Sequence, residues 1–288
     1  MNVVFILNEF SLHNHILISY LRARPEDLIS IVKVPMVVKG KNRLETGKKI
    51  LPHLTPRFVA EKAYEFLLVS AITWMPKILT RGEVFRRLRF IARRYKLPFL
   101  KTTSLLSSRT LRFIRAQKPD VIVTLVHQII KGELLQIPRL GIINIHPGLL
   151  PEFRGIQPYF WALSSGASLT GVTLHLIEDE GIDTGKMIGR AWFPIASSMS
   201  VSLTYYLTAR AAGQLLPAAI TALEQGMLHP RAQEEQNSRY YRWPDTDGFR
   251  SLWAQGHGLV RARDILSIIR GAYDAFEPEG KEVFYKEI

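Results

Sequence analysis

Asn144 and His146 stand two residues apart at the end of an apolar run, Gly141–Ile145, and Pro147 follows at once. Along a strand that spacing puts two side chains on one face, and a proline cannot continue the ladder. An amide and an imidazole are therefore expected side by side at a strand's carboxyl end, the edge where parallel α/β sheets bind ligands. Both groups can hydrogen-bond an oxygen that gains charge in a transition state, and the imidazole can also move a proton near neutral pH. A carboxylate comes later. Asp183 lies between Gly181 and Gly185, on an expected turn where the backbone can approach a ligand closely. Glu178, Asp179 and Glu180 precede it, and their repulsion, if they crowd it, would raise its pKa and suit it to act as a base.

These residues need a sheet edge to hold them, and the chain reads as α/β. Val3–Leu7 and Ile29–Val34 are short β-rich runs flanking a helix from His13 to Leu21, which is the start of a βαβ unit with a parallel sheet. Pro119-Asp120 introduces Val121–Leu125, a run without alternation, as expected of a strand buried on both faces. Further strands are expected at Leu97–Leu100, Gly141–Ile145, Thr170–Ile177 and Lys186–Pro194, the last two paired across a glycine-containing turn. Ser107 or Ser108 caps a helix reaching Gln117, and Ser200–Gln225 is a long helix. Residues 39–56 read as a basic, polar loop, followed by helices at about 58–75 and 83–95. The second carries Arg86, Arg87, Arg89, Arg93 and Arg94, which read as a solvated face or, alternatively, a grip on phosphates or a membrane surface. No Gly-x-Gly-x-x-Gly follows the first strand, so dinucleotide chemistry loses its main support.

The bulk composition sets outer limits. The 288 residues are 47% hydrophobic and 22% charged, which is the balance of a globular chain able to bury a sizeable core. There is no cysteine, which excludes disulfides, thiolate metal sites and cysteine nucleophiles and fits a reducing, cytoplasmic location. A net charge of +13 suits an anionic partner, although solubility alone would also explain it. The first residues lack the pattern of a signal peptide. The most apolar stretch, Phe66–Met75, is too short to cross a bilayer and reads as a buried helix.

Taken in order, Asn144-Ile145-His146-Pro147-Gly148-Leu149-Leu150-Pro151, Arg154-Gly155, Gly171-Val172-Thr173 and Asp183-Thr184-Gly185 resemble the formyltransferase family, which includes the glycinamide ribonucleotide, methionyl-tRNA and sugar-nucleotide N-formyltransferases. The resemblance runs from about Pro119 to Pro194. It implies a Rossmann-like α/β domain with a mostly parallel sheet, here spanning 1–232 with a helical insertion at about 39–100, and a small C-terminal appendage at 233–288. It also implies transfer of a formyl group from 10-formyltetrahydrofolate to a primary amine, with no metal, on Asn144, His146 and Asp183. Val126, His127, Gln128, Ile129 and Ile130 fall on the loop that lines the family's pterin pocket. His175, Arg154 and Gly148 are expected on the substrate side; Gly148 stands where many members carry Ser. Methionyl-tRNA enzymes carry a full C-terminal barrel and glycinamide ribonucleotide enzymes lack both insertion and tail, so a small amine such as an amino sugar is the expected acceptor. A tRNA or nucleotide-linked substrate, hydrolysis of the donor, and a non-catalytic anion-binding scaffold are the alternatives.

Overall fold

The computed structural model of the protein describes residues 1–8, 13–35, 56–61, 63–64, 67, 87–265, 267–268 and 285–287. Nearly all of the expected loop at 39–56 lies outside these, as do most of the helix at 58–75 and of Phe66–Met75, and the start of the helix at 83–95. Residues 56–61 are helical.

Strands β1 (Asn2–Asn8), β2 (Leu28–Val34), β3 (Phe99–Lys101), β4 (Val121–Leu125) and β5 (Gly141–His146) run parallel, in the order β5-β4-β1-β2-β3. Leaving aside the two-residue β6 (Arg154–Gly155) and β9 (Tyr240–Tyr241), strands β7 (Leu169–Leu176), β8 (Met187–Pro194) and β10 (Tyr285–Glu287) extend the sheet antiparallel from β5, giving a sheet of eight strands among the described residues. Strand order reverses between β1 and β4, and the crevice at such a reversal is where open α/β sheets bind ligands.

Alternation along β5 fixes what each face does. Ile143 and Ile145 point into the larger core, where helices α1 (His13–Ala23), α2 (Leu88–Arg94) and the long α5 (Val201–Glu224) cover the sheet. Ile142 points the other way, into a smaller core under α3 (Ser108–Ala116). Asn144 and His146 share that second face and continue it toward the open edge. On α2, Leu88, Ile91 and Ala92 are buried while Arg87, Arg89, Arg93 and Arg94 are exposed, so on the described residues the arginines form a solvated face.

Helix ends lie where side-chain chemistry places them. The Ser107 hydroxyl accepts from the Thr110 amide at the start of α3. The Ser200 hydroxyl does the same for Leu203 at the start of α5, and the Asp264 carboxylate in turn accepts from the Ser200 amide at 3.0 Å. After α5 the chain returns to the sheet edge. Strand β9 (Tyr240–Tyr241) pairs with β6 (Arg154–Gly155), and α6 (Thr246–Ala254), capped by Asp245, packs on α4 (Pro158–Ser164) through Phe249, Leu252, Phe160 and Leu163.

Candidate active site

The turn after β5 is built to release two side chains at its edge. The Gly148 amide closes onto the His146 carbonyl at 2.8 Å. Thr173, opposite His146 on β7, donates its hydroxyl to the Gly148 carbonyl at 2.9 Å and accepts the Leu150 amide at 3.1 Å. A Cβ on Gly148 would stand 2.4 Å from Pro158 Cβ, so the proline that opens α4 leaves no room for a side chain there. Gly148 is thus a position of close backbone approach rather than a lost hydroxyl.

Asn144 is oriented from both sides. The Thr124 hydroxyl, on β4, donates to its Oδ1 at 2.9 Å. That fixes the amide so that Nδ2 donates to His175 Nε2 at 3.0 Å, and His175 Nδ1–H then donates to the Leu176 carbonyl, also at 3.0 Å. His146 is 3% exposed, and its Nε2–H donates to the Phe153 carbonyl at 2.6 Å.

Asp183 closes the group. It sits in the left-handed region, φ 55°, which costs a non-glycine residue about 1–2 kcal/mol. Its Oδ2 accepts the Gly155 amide at 2.8 Å, while Oδ1 lies 3.5 Å from His146 Nδ1 and 3.6 Å from His175 Nε2. Those last two are ion-pair distances rather than hydrogen bonds. Burial pushes the carboxyl's pKa up, but the charge and hydrogen-bonding capacity of His146 and then His175 outweigh it, and the net shift is well down. The expected rise is therefore corrected. The acids that should have raised it look elsewhere: Glu178 pairs with Lys186 at 3.1 Å, Asp179 accepts the Gly181 amide at 2.7 Å, and Glu180 is exposed.

Asn144, His146, His175 and Asp183 are thus one cluster, gathered from β5, β7 and the turn before β8. The Arg154 guanidinium is not in it. It is buried and donates to Gln233 Oε1 at 3.0 and 2.9 Å and to the Glu235 carboxylate at 3.1 and 2.9 Å, behind the Asp183 turn.

Val126–Ile130 leaves the end of β4, the neighbour of β5. Ile130 is buried and Ile129 is 54% exposed. Gln128 Nε2 is buried and has no hydrogen-bond partner among the described residues. An apolar lip beside an unsatisfied amide donor fits a flat ligand rich in acceptor atoms. His127 Nδ1 is hydrogen-bonded to the Asn8 side-chain amide at 2.9 Å. One edge of the ring is open to solvent, yet the surrounding chain desolvates it and pushes its pKa down. Trp243, from the tail, stacks on the same ring with centroids 6.1 Å apart and planes at 14°.

Thr124, Thr173, Gln233 and Trp243 escaped the sequence-based expectations. Thr173 stood inside a quoted motif without a role. The other three carry no local signal, because each acts on a residue far away in the chain. Among the described residues no group of three or more His, Asp or Glu is placed to hold a metal ion, and no helix is long and apolar enough to cross a membrane.

Residues 1–220 match the model of the formyl transferase family. A methionyl-tRNA formyltransferase from Trichlorobacter lovleyi is 30% identical over 223 residues, covering 75% of this chain and 67% of its own length. This chain spans about half to two thirds of the curated relatives it matches. Among solved structures, an N-formyltransferase from Helicobacter canadensis, in complex with folinic acid and dTDP-3-aminofucose, aligns over 88% of this chain and 80% of its own at a TM-score of 0.55 and 16% identity. A phosphoribosylglycinamide formyltransferase from Anaplasma phagocytophilum aligns over 83% and 99%, at 0.53 and 15%. At those identities the likeness is one of fold.

Proposed function

The chain belongs to the formyl transferase family, and from that premise we propose that it transfers a formyl group from 10-formyltetrahydrofolate to the primary amine of a small, nucleotide-linked acceptor such as an amino sugar. The observation that carries the transfer is the Asp183 carboxylate held between two imidazoles beside the Asn144 amide. In the reaction the amine nitrogen bonds to the formyl carbon, the bond from that carbon to the donor nitrogen breaks, and one proton passes from the amine to that nitrogen. Asn144 has a second N–H beyond the one given to His175, and donates it to the formyl oxygen as that oxygen gains charge. His146, with Nε2–H on the Phe153 carbonyl, faces Asp183 through Nδ1; protonated there, it adds positive field to the same oxygen. Asp183, kept ionised, stabilises positive charge on His146 and orients that imidazole, or a water beside it, for removal of the amine proton.

For the donor, Gln128 Nε2 and Ile129 are the groups that fit a pterin: an amide donor for its heteroatoms and an apolar lip for its ring. For a small acceptor, the support is the tail, which folds back so that β9 and Trp243 frame the cleft. The shared fold with a sugar N-formyltransferase is compatible with that, and a cytoplasmic location suits a folate-using chain without cysteine. The second reading is formylation of methionyl-tRNA, favoured by the names of the curated relatives and by the +13 charge.

One assay tests both. Tetrahydrofolate release is followed with 10-formyltetrahydrofolate and a panel of nucleotide-linked amino sugars or methionyl-tRNA. Acceleration by an amino sugar that is insensitive to salt supports the first reading. Acceleration by tRNA that collapses with rising salt supports the second. No release with any amine would sink both.

A further inference from the structure

We infer that Gln233, which lies beyond the family-matched residues 1–220, is a positioning residue whose side chain sets the turn that aims the Asp183 carboxylate at His146 and His175. The inference rests on the formyl-transfer reading for its kinetic consequence, though not for its geometry.

Gln233 Nε2 donates to two carbonyls of the turn, Asp183 and Gly185, at 2.8 Å each. Its Oε1 accepts two N–H groups of Arg154, which Glu235 grips from the other side. Arg154 precedes Gly155, whose amide donates to the Asp183 carboxylate. The contacts form a closed ring: Gln233 to the Asp183 backbone, the Asp183 carboxylate to Gly155, and the chain through Arg154 back to Gln233. A second set of bonds holds the ring in register. The Arg154 amide donates to the Arg239 carbonyl at 2.9 Å and Ile156 to the Tyr241 carbonyl at 3.0 Å. A Cβ on Gly155 would stand 2.1 Å from the Tyr241 carbonyl oxygen, so the tail lies flat against the strand that reads Asp183.

The position calls for a primary amide at this length. Two carbonyls need two donors and a guanidinium needs an acceptor, and glutamine supplies both from one planar group. Glutamate has the same shape but turns an oxygen, in place of the donors, toward both carbonyls. Asp183 stays in its left-handed conformation because the turn around it is held, and the two 2.8 Å bonds from Gln233 are what hold the carbonyls on either side of Thr184.

The test uses the full chain. Gln233→Glu is compared with wild type in tetrahydrofolate release from 10-formyltetrahydrofolate and in hydrogen exchange at the Gly155 amide. The expected result is a fall in kcat of about 100-fold, the scale of a misplacement of about 1 Å. KM for the donor should change by less than about threefold, since ground-state binding is untouched. The Gly155 amide should lose protection while the amides of β4 keep theirs, and Gln236→Glu, an exposed neighbour, should behave as wild type in both. Wild-type kcat with Gly155 still protected overturns the inference. So does loss of protection in β4 together with Gly155, because Gln233 would then hold the fold and not the turn. If Gln233→Glu does not fold, Gln233→Met, which removes the polar atoms without adding charge, is held to the same results. If wild type releases no tetrahydrofolate with any amine, the formyl-transfer reading falls and exchange at Gly155 alone decides on Gln233.

Discussion

Replacing Asp183 by asparagine keeps the side chain's shape and removes the charge that His146 and His175 face. We expect kcat to fall by about 10²–10³-fold, the usual scale for loss of a preorganised electrostatic group, with Asn144→Ala in the same range, measured as tetrahydrofolate release. The same substitution has a pH signature. The Asp183 pKa in the folded protein is depressed below its unfolded value, which is about 3.9. Its contribution to stability is therefore complete above about pH 4 and is lost as the pH falls through the folded pKa. Urea unfolding between about pH 4.5 and 2 should show wild type losing stability faster than Asp183→Asn as acid is added; equal slopes would remove the ion-pair account. How far these residues were legible differs from one to the next. Asn144 and His146 followed from a period of two and a proline. The direction of the Asp183 shift did not follow, since the nearby acids were in view while the imidazoles that decide it come from other strands, His146 from β5 and His175 from β7.

Two elements carry consequences of their own. The turn after β5 depends on Thr173, which satisfies one buried N–H and one buried C=O. Thr173→Val keeps the volume and leaves both groups without their partner. We expect a loss of about 2–6 kcal/mol in denaturant unfolding, from a cost of about 1–3 kcal/mol for each of the two unsatisfied groups. The seam between α1 and α5 holds His15, whose pKa is pushed down to about 4, first by burial and then by the charge of Arg210. Above about pH 6.5 both states hold it neutral and its burial costs nothing in protons. Below that the unfolded chain takes up a proton and the folded one does not, so stability should fall by about 1.4 kcal/mol per pH unit from pH 6.5 to near 4. His15→Phe should flatten that interval in a pH series of unfolding curves. The sequence disclosed these elements well, and for a plain reason. Short runs rich in β-branched apolar residues mark β1, β2 and β4, and Ser107 and Ser200 mark helix starts, because each signal sits inside or next to the element it forms. What binds one element to another, such as Thr124 reaching Asn144, leaves no trace in either segment alone.

In the molecule as a whole, the tail touches both walls of the cleft. Gln233 engages the turn that carries Asp183, and Trp243 lies on His127 in the loop after β4. Stacked aromatic pairs contribute about 0.5–1.5 kcal/mol beyond the area they bury. Trp243→Ala should therefore raise KM for the folate donor by up to about tenfold, with little change in kcat; steady-state kinetics at saturating acceptor distinguish this from the kcat effect expected at Gln233. The composition of the tail, rich in Arg, Tyr, Trp and Asp, marks a small C-terminal appendage but not its contacts with the site, because strand β9 is two residues long and its partner β6 is equally short. Pairing of that kind is decided by geometry that no short window of sequence contains.

The ring through Gln233 also orders events in time. Asp183 and Gln233 are 50 residues apart, and the turn is held only when both are out of the ribosome. At about 5–20 residues per second, the carboxylate exists for some 3–10 s before the side chain that aims it has been made. A nascent chain that has just passed Asp183 already has β1 to β7 and both histidines, yet its centre is still slack. Competence arrives late in synthesis, so a chain that ends between the long helix α5 and residue 233 should turn over formyl donor about 100-fold more slowly than the full chain.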